Sequence, residues 1–144
     1  MIKISIKNLQ EKIKINSRSL KALATKVLKH QGITDAELSI VLVDDLQIAD
    51  LNKRYLNHDY STDVLAFRMA DGAHGEINPR ILGDVVLSVD TAKTQATKLK
   101  LSIESEVNLY LIHGILHLLG FSDKTKSGFN KMKKMQEELM DSYA

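Results

Sequence analysis

The feature that most constrains the fold of this chain is the order of two apolar patterns along the sequence. One is the alternation typical of strands, and the other is the spacing typical of helices. Ile2–Ile6 alternates apolar with polar residues, which is typical of a strand with one buried face. Helical spacing begins at Ser17, behind a cap at Asn16 or Ser17, and Gly32 ends that helix. Helices dominate the last third of the chain. This order predicts a single α+β domain over residues 1–144, in which helices cover a small mixed sheet of about four strands.

The remaining elements follow from the same patterns. The further predicted strands are Ala36–Val43 and Leu82–Val89. The further predicted helices are Leu46–Tyr55 behind Asp44-Asp45, Thr91–Leu119 behind a cap at Asp90 with a break near Leu101-Ser102, and Gly128–Met140. The last of these helices has Phe129, Met132, Met135 and Leu139 on one side. Val64–Phe67 is a short apolar run. Met69–Arg80 contains glycines and the only proline, so we expect a mobile loop there.

Composition excludes several classes of protein. The chain has no cysteine, which excludes disulfide scaffolds, thiolate zinc fingers, iron–sulfur sites and cysteine nucleophiles. The longest apolar stretch is about eleven residues, whereas a membrane-spanning helix needs about twenty. We therefore expect no membrane partner and a cytoplasmic protein. The net charge of +2 is too small to indicate a nucleic-acid partner by itself.

Two histidines in the predicted helix before Gly120 are the first candidates for chemistry. His113 and His117 are one helical turn apart, so their rings lie on the same face. Two imidazoles in that arrangement can bind one Zn²⁺ at about 2.0–2.1 Å each. The pair alone fits two histidines of a core helix equally well.

The residues after the pair favour a metal site. Gly120 lies where the helix can stop and the chain can reverse, and a reversal brings Asp123 back toward the imidazoles. A carboxylate is an acceptable third zinc ligand, and three protein ligands with a fourth position left to water is the catalytic arrangement. We predict that His113, His117 and Asp123 hold one Zn²⁺ per chain, although other divalent metals suit this ligand set.

The residue after His113 is Gly114, where a helical zinc peptidase carries a glutamate as general base. Its absence makes a metallopeptidase the least favoured interpretation. A phosphodiester substrate can tolerate the absence of a helical base if the metal also polarises a phosphoryl oxygen. The sequence identifies no general base, so the catalytic residues beyond the metal ligands stay unknown.

Three segments together resemble the YbeY family of metal-dependent endoribonucleases. The stretch His113-Gly-Ile-Leu-His-Leu-Leu-Gly-Phe-Ser-Asp123 is similar to the family signature His-Gly-x-Leu-His-Leu-x-Gly-Tyr-Asp-His. Leu51-Asn52 with Thr62–Phe67 resembles the block Leu-Asn…Thr-Asp-Val-Leu-Ser-Phe. Leu82–Ser88 resembles the strand Leu-Gly-Asp-Ile-x-Ile-Ser. The family implies a small mixed sheet with a zincin-like, metal-bearing helix, in agreement with the fold predicted from the residues.

The resemblance implies a zinc-dependent endoribonuclease specific for single-stranded RNA. Its expected tasks are ribosomal RNA processing, in particular maturation of the 16S rRNA 3′ end, and ribosome quality control, with RNA and the ribosome as partners of a monomer. Two residues depart from the family pattern. Asp123 occupies the position of a third histidine, and Leu56 that of an arginine. Arg54 and Arg68 are nearby cations, but neither corresponds to that arginine.

Lysines follow the metal motif closely, at Lys124, Lys126, Lys131, Lys133 and Lys134. Such runs are usually solvated helix faces, but their position also suits a rim that contacts phosphates, and we take Lys124 and Lys126 as candidate RNA contacts with Arg54 and Arg68. A non-catalytic ribosome-assembly or RNA-binding factor with a structural metal is the alternative. The near-neutral charge and the missing arginine keep that alternative open.

Overall fold

The computed structural model describes residues 1–56, 62–69 and 80–144. Its elements are β1 (Ile2–Asn8), α1 (Ser17–His30), β2 (Ala36–Val43), α2 (Asp45–Leu56), β3 (Val64–Arg68), β4 (Ile81–Ser88), α3 (Val89–Leu99), α4 (Ile103–Leu118) and α5 (Lys126–Tyr143). Most of the loop predicted at Met69–Arg80 lies outside the described residues.

The strands form one mixed sheet of four strands in the order β1-β2-β4-β3. β1 pairs with β2, and β2 with β4, in parallel, whereas β3 runs antiparallel to β4 at the edge. Gly83 is required where β4 leaves β3, because a Cβ there would overlap the carbonyl oxygen of Phe67. The predicted α+β fold with a small mixed sheet is confirmed.

The two faces of the sheet are covered unequally. Alternate residues of the central strands, among them Ile40, Val85 and Leu87, pack into the main core with α1, α3, α4 and α5. Within the described residues, the opposite face packs against α2, in a smaller cluster that includes Ile48 and Val86. Side chains alternate between the faces of a strand, so β4 contributes to both cores.

Helix α4 lies in the middle of the main core. Ser102 caps its first turn by accepting a hydrogen bond from the backbone of Ser105 at 3.0 Å. Gly114 lets the helix approach the sheet closely, because a Cβ there would lie 2.5 Å from Cγ1 of Val85. The residues of α4 are therefore packed closely against the sheet.

Several details of the elements differ from the expectations. The break near Leu101-Ser102 is confirmed, but the cap of α3 is Ser88 and Asp90 lies in the first turn. In α2 the buried residues are Ile48 and Asn52, whereas Leu46 is 81% exposed. Phe129 was expected on the apolar side of the last helix, yet it is 51% exposed. Apolar spacing alone could not tell which of these side chains meet a neighbour.

Among the described residues, no helix has both the length and the apolar character that a membrane span requires.

Candidate metal centre

The end of α4 turns the chain back toward its own last turn. The backbone N–H of Phe121 donates to the carbonyl of Leu116, and that of Gly120 donates to the carbonyl of His117, both at 3.0 Å. This pair of bonds is a Schellman motif, in which the residue after the helix takes a left-handed conformation. Gly120 has φ +101°, a conformation that favours glycine. The reversal predicted at Gly120 is confirmed, and it carries Asp123 back beside α4.

His113, His117 and Asp123 come together at this reversal. Their ligand atoms all lie within 4.8 Å of one another, and no other group of three such residues does so in the described parts of the chain. Nε2 of His113 is 2.9 Å from Nε2 of His117, which is in turn 3.8 Å from Oδ2 of Asp123. Two donor atoms that each lie about 2.0–2.1 Å from one Zn²⁺ are at most about 4.2 Å from each other. The observed distances between the ligand atoms are close to this limit or below it, so only small movements of the side chains are needed to hold an ion.

Each of the two rings makes a hydrogen bond in addition to the contact between the two Nε2 atoms. Nδ1 of His113 hydrogen-bonds to Oε1 of Gln136, a carbonyl oxygen that only accepts, so Nδ1 carries the proton. The ring of His117 makes a hydrogen bond to the backbone of Phe121. Nε2 of His113 and Nε2 of His117 lie 2.9 Å apart, and a divalent cation can bind the unprotonated nitrogens of two imidazoles placed in this way. The donor set thus fits a divalent metal ion.

Burial favours the neutral form of His117 by lowering its pKa. Desolvation is the main cause that lowers its pKa from the ordinary value, and the neighbouring His113 acts in the same direction. The carboxylate of Asp123 and the hydrogen bond to the backbone of Phe121 oppose this shift. A neutral imidazole is the form that binds a metal, so the environment of His117 favours the protonation state that metal binding requires.

A cavity of about 210 Å³ opens beside these ligands. Its lining residues are His113, Asp123, Phe129, Met132, Lys133 and Gln136. Two walls form it: α4 with the following turn supplies the ligands, and α5 supplies the other four side chains. Two of the three candidate ligands, His113 and Asp123, thus border an open cavity. An open side is typical of a catalytic zinc site, since structural zinc sites are closed by four protein ligands.

The candidate RNA contacts are spread over the molecule. Arg54 lies on α2, on the sheet face opposite α4, in an ion pair with Asp50 at 3.2 Å. Arg68 is exposed at the end of β3. Lys124 and Lys126 are exposed beside the reversal after α4, but neither lines the metal cavity. Leu56, at the position of the family arginine, is exposed at the end of α2.

The close approach at Gly114 gives a structural reason against peptidase chemistry. A glutamate at this position would have to begin with a Cβ that clashes with Val85 and crowds Val64. The side of α4 that carries residue 114 therefore faces the sheet. The general base of a helical zinc peptidase has no place in this site.

Gln136 is the site residue that the sequence reasoning missed. It lies in α5 on the side that faces the core, between the buried Met132 and Leu139. A polar side chain inside an otherwise apolar stripe was the available signal. That signal could not name its partner, because His113 is distant in sequence and the docking of α5 on α4 is a tertiary contact.

Comparisons with known proteins agree with this geometry. A family model described as "Endoribonuclease YbeY" matches residues 5–144. The protein named endoribonuclease YbeY from Geobacter metallireducens is 37% identical over 143 residues, which cover 99% of this chain and 95% of that protein. The one from Aquifex aeolicus is 42% identical over 127 residues, which cover 88% and 81%.

A solved structure is also similar. The solution structure of TM1509 from Thermotoga maritima matches with a TM-score of 0.61 and 29% sequence identity, over 99% of this chain and 91% of that one. The fold, the order of the motifs and the family match therefore agree, and the chain belongs to the YbeY family of endoribonucleases.

Proposed function

We propose that this chain is a metal-dependent endoribonuclease whose single Zn²⁺ is held by His113, His117 and Asp123. The observation that carries the proposal is the pair of Nε2 atoms 2.9 Å apart, with a carboxylate oxygen 3.8 Å from that of His117, beside an open cavity. Relatives named endoribonuclease YbeY, similar over nearly the whole chain, give the reaction class. We take residues 1–144 as one functional unit.

The residues of the chain have separable tasks in this proposal. Gln136 orients the ring of His113 through Nδ1, with Nε2 toward His117, and a hydrogen bond to the backbone of Phe121 orients the ring of His117. Asp123 adds one negative charge, which lowers the net charge of the loaded site relative to three neutral imidazoles. When bound, the metal supplies Lewis acidity toward water and toward a phosphoryl group.

The proposed substrate is single-stranded RNA, and by membership of the family we infer ribosomal RNA precursors, including the 3′ end of 16S rRNA. We propose that the protein acts on these precursors in the cytoplasm, at the ribosome. Its tasks there are RNA processing and ribosome quality control. We propose that it acts as a monomer, since all three ligands and the cavity come from one chain.

A closed metal site would favour the alternative, a non-catalytic assembly factor whose metal only stabilises the fold. The cavity of about 210 Å³ next to the ligands argues against it. The two functions also differ when the metal is removed. A structural metal contributes folding energy, whereas a catalytic site can lose activity while the protein stays folded.

The test is cleavage of one oligoribonucleotide, offered as a single strand and as a duplex, with Zn²⁺, Mn²⁺, Mg²⁺ or chelator. We expect internal cleavage of the single strand only, dependent on metal. His117→Ala should be inactive. His30→Ala is the matched control, because His30 pairs with Tyr143 and Glu138 away from the site, and it should cleave like the parent. Equal cleavage by the chelated and loaded protein would contradict the proposal.

A further inference from the structure

Of the four side chains that α5 contributes to the metal cavity, two are exposed, and neither is a proposed metal ligand. Phe129 and Lys133 share this cavity with His113 and Asp123. Phe129 and Lys133 are four positions apart in the chain, so they are neighbours on one face of the helix. The ring of Phe129 is half exposed, which leaves an aromatic surface open beside the proposed metal. An aromatic face next to a cation offers one nucleotide both a stacking surface for its base and a partner for its phosphate.

The start of α5 is fixed relative to the metal ligands. Thr125 caps the helix by accepting a hydrogen bond from the backbone of Gly128 at 3.0 Å. Gly128 packs so closely against the carbonyl oxygen of Ser122 that a Cβ would not fit. Met132, between the two cavity residues, is buried in the main core. Phe129 and Lys133 are therefore presented by a rigid support rather than by a loop.

Charge gives an independent reason to single out Lys133. A divalent ion held by two neutral imidazoles and the carboxylate of Asp123 has a net charge of about +1, one unit less than with three imidazoles. Lys133 adds a positive charge to the same cavity, and none of the ion pairs found in the described residues includes it. The neighbouring Lys131 and Lys134 are exposed but do not line the cavity.

We propose that Phe129 and Lys133 form a nucleotide subsite of the metal centre. One base of the single strand stacks on the ring of Phe129, and a phosphate beside that base binds the ammonium group of Lys133. This inference rests on the proposed function and names the part of the protein that holds the substrate next to the metal. It also explains why an apolar ring stays exposed at the mouth of a metal site.

The first experiment measures cleavage of a single-stranded oligoribonucleotide by the zinc-loaded Lys133→Ala protein over a range of salt concentrations. Loss of one phosphate contact should lower kcat/KM about fivefold at 0.1 M salt and should reduce the slope of log kcat/KM against log salt by about 0.7. The change should appear chiefly in KM. Lys131→Ala and Lys134→Ala are the matched controls and should keep the parent's slope.

The second experiment separates stacking from simple packing at Phe129. Phe129→Tyr keeps an aromatic face and should retain most of the parent's kcat/KM, whereas Phe129→Leu should lose about 5- to 100-fold in kcat/KM. Substrates that lack a base at one position after another should show one position where the parent loses a similar factor. At that position Phe129→Leu should cause little further loss, because both changes remove the same contact.

Metal content and the thermal midpoint are measured for each variant, and we expect parental values because both side chains are exposed. The subsite is refuted if the parent cleaves RNA and Lys133→Ala keeps its salt slope, or if Phe129→Leu and Phe129→Tyr cleave equally well. These results leave the proposed function intact. A parent protein that cleaves no RNA with any divalent metal refutes the function and the subsite together.

Discussion

The two walls of the metal cavity, α4 and α5, differ in how they are held and in what they contribute. Helix α4 is buried along most of its length, and the absence of a side chain at Gly114 lets the helix pack closely against Val85 of the sheet. In α5 only Met132 and Leu139 are buried, and most of its other side chains are exposed or partly exposed. The proposed metal ligands thus come from a core helix and from the turn that follows it. The groups that meet solvent, Phe129 and Lys133, come from a helix at the surface.

This difference separates the requirements of the two tasks. A metal needs donor atoms held within a few tenths of an ångström, which a core helix provides. A polymeric substrate needs an accessible surface, which a surface helix provides. Gln136 joins the two walls, because it reaches from α5 to the ring of His113. Substitutions in the two walls should therefore change different measured quantities.

The largest effect is expected at the ligands of α4. His113→Ala and His117→Ala each remove one of three donors, so both should reduce metal stoichiometry and RNA cleavage together. The loss of metal affinity should exceed the 10- to 100-fold that removal of an outer hydrogen-bond partner costs. Metal content by mass spectrometry and cleavage of a single-stranded oligoribonucleotide measure the two effects. Full metal occupancy in either variant would show that the histidines do not share an ion.

A smaller effect is expected at Asp123, which lies on the turn between the walls and is 46% exposed at its side chain. Asp123→Ala should lose much of the metal and of the activity. Asp123→His should retain both, because it restores three imidazoles. It should also shift the activity–pH profile to lower pH, since a site of higher net positive charge makes its water more acidic. The comparison is made on metal affinity and on kcat/KM from pH 5 to 9.

An Asp123→Ala protein that binds metal and cleaves RNA like the parent would assign the third ligand to another residue.

The sequence predicted the α4 wall well because its signals are local. The spacing of His113 and His117, the helix stop at Gly120 and the carboxylate of Asp123 all lie within one short segment. Helix geometry fixes which of these residues share a face, and the Schellman motif at Gly120 follows from a single glycine. The strands and the break between α3 and α4 were predictable for the same reason, since each is marked by a change of period or a cap.

The α5 wall could not be predicted because its role depends on docking. Helical spacing placed Phe129 with Met132 on an apolar side, but that spacing does not show that the first turn of α5 extends past the core to the cavity. The lysines looked alike in sequence, and only the orientation of the helix distinguishes Lys133 from Lys131. In the same way, Arg54 is near the motif blocks in sequence, yet α2 packs on the other sheet face.

The contact between the walls gives the third prediction. Gln136→Leu keeps the approximate size of the side chain but removes the acceptor for Nδ1 of His113, so that ring is no longer held in one tautomer. Metal affinity should fall about 10- to 100-fold, as for other outer partners of metal-bound histidines. Gln136→Glu supplies an acceptor and should restore most of the affinity. Chelator competition measures affinity, and ¹⁵N shifts of His113 in the metal-free protein report the tautomer.

A Gln136→Leu protein with parental affinity and a single His113 tautomer would show that the two walls act independently. Unchanged affinity in Gln136→Leu combined with weaker binding in Gln136→Glu would lead to the same conclusion.

The smallest effect concerns the pH dependence of the metal-free protein. Burial lowers the pKa of His117 in the folded state, and the nearby charge of Asp123 only partly offsets this. The unfolded chain, with a histidine pKa of about 6.5, then binds more protons than the folded chain below that pH. The contribution of His117 to stability should be fully present above about pH 6.5 and should decrease as the pH falls toward its lowered folded-state pKa.

Denaturant unfolding at pH 7.5 and pH 5.5 with chelator should show a smaller loss of stability at low pH in His117→Gln than in the parent. Excess Zn²⁺ should steepen the parent's dependence, because protons then compete with the metal for the same rings. An identical pH dependence in the metal-free parent and in His117→Gln would mean that burial on α4 does not keep this ring neutral, and the rigid wall would then hold the ligand in place without selecting its protonation state.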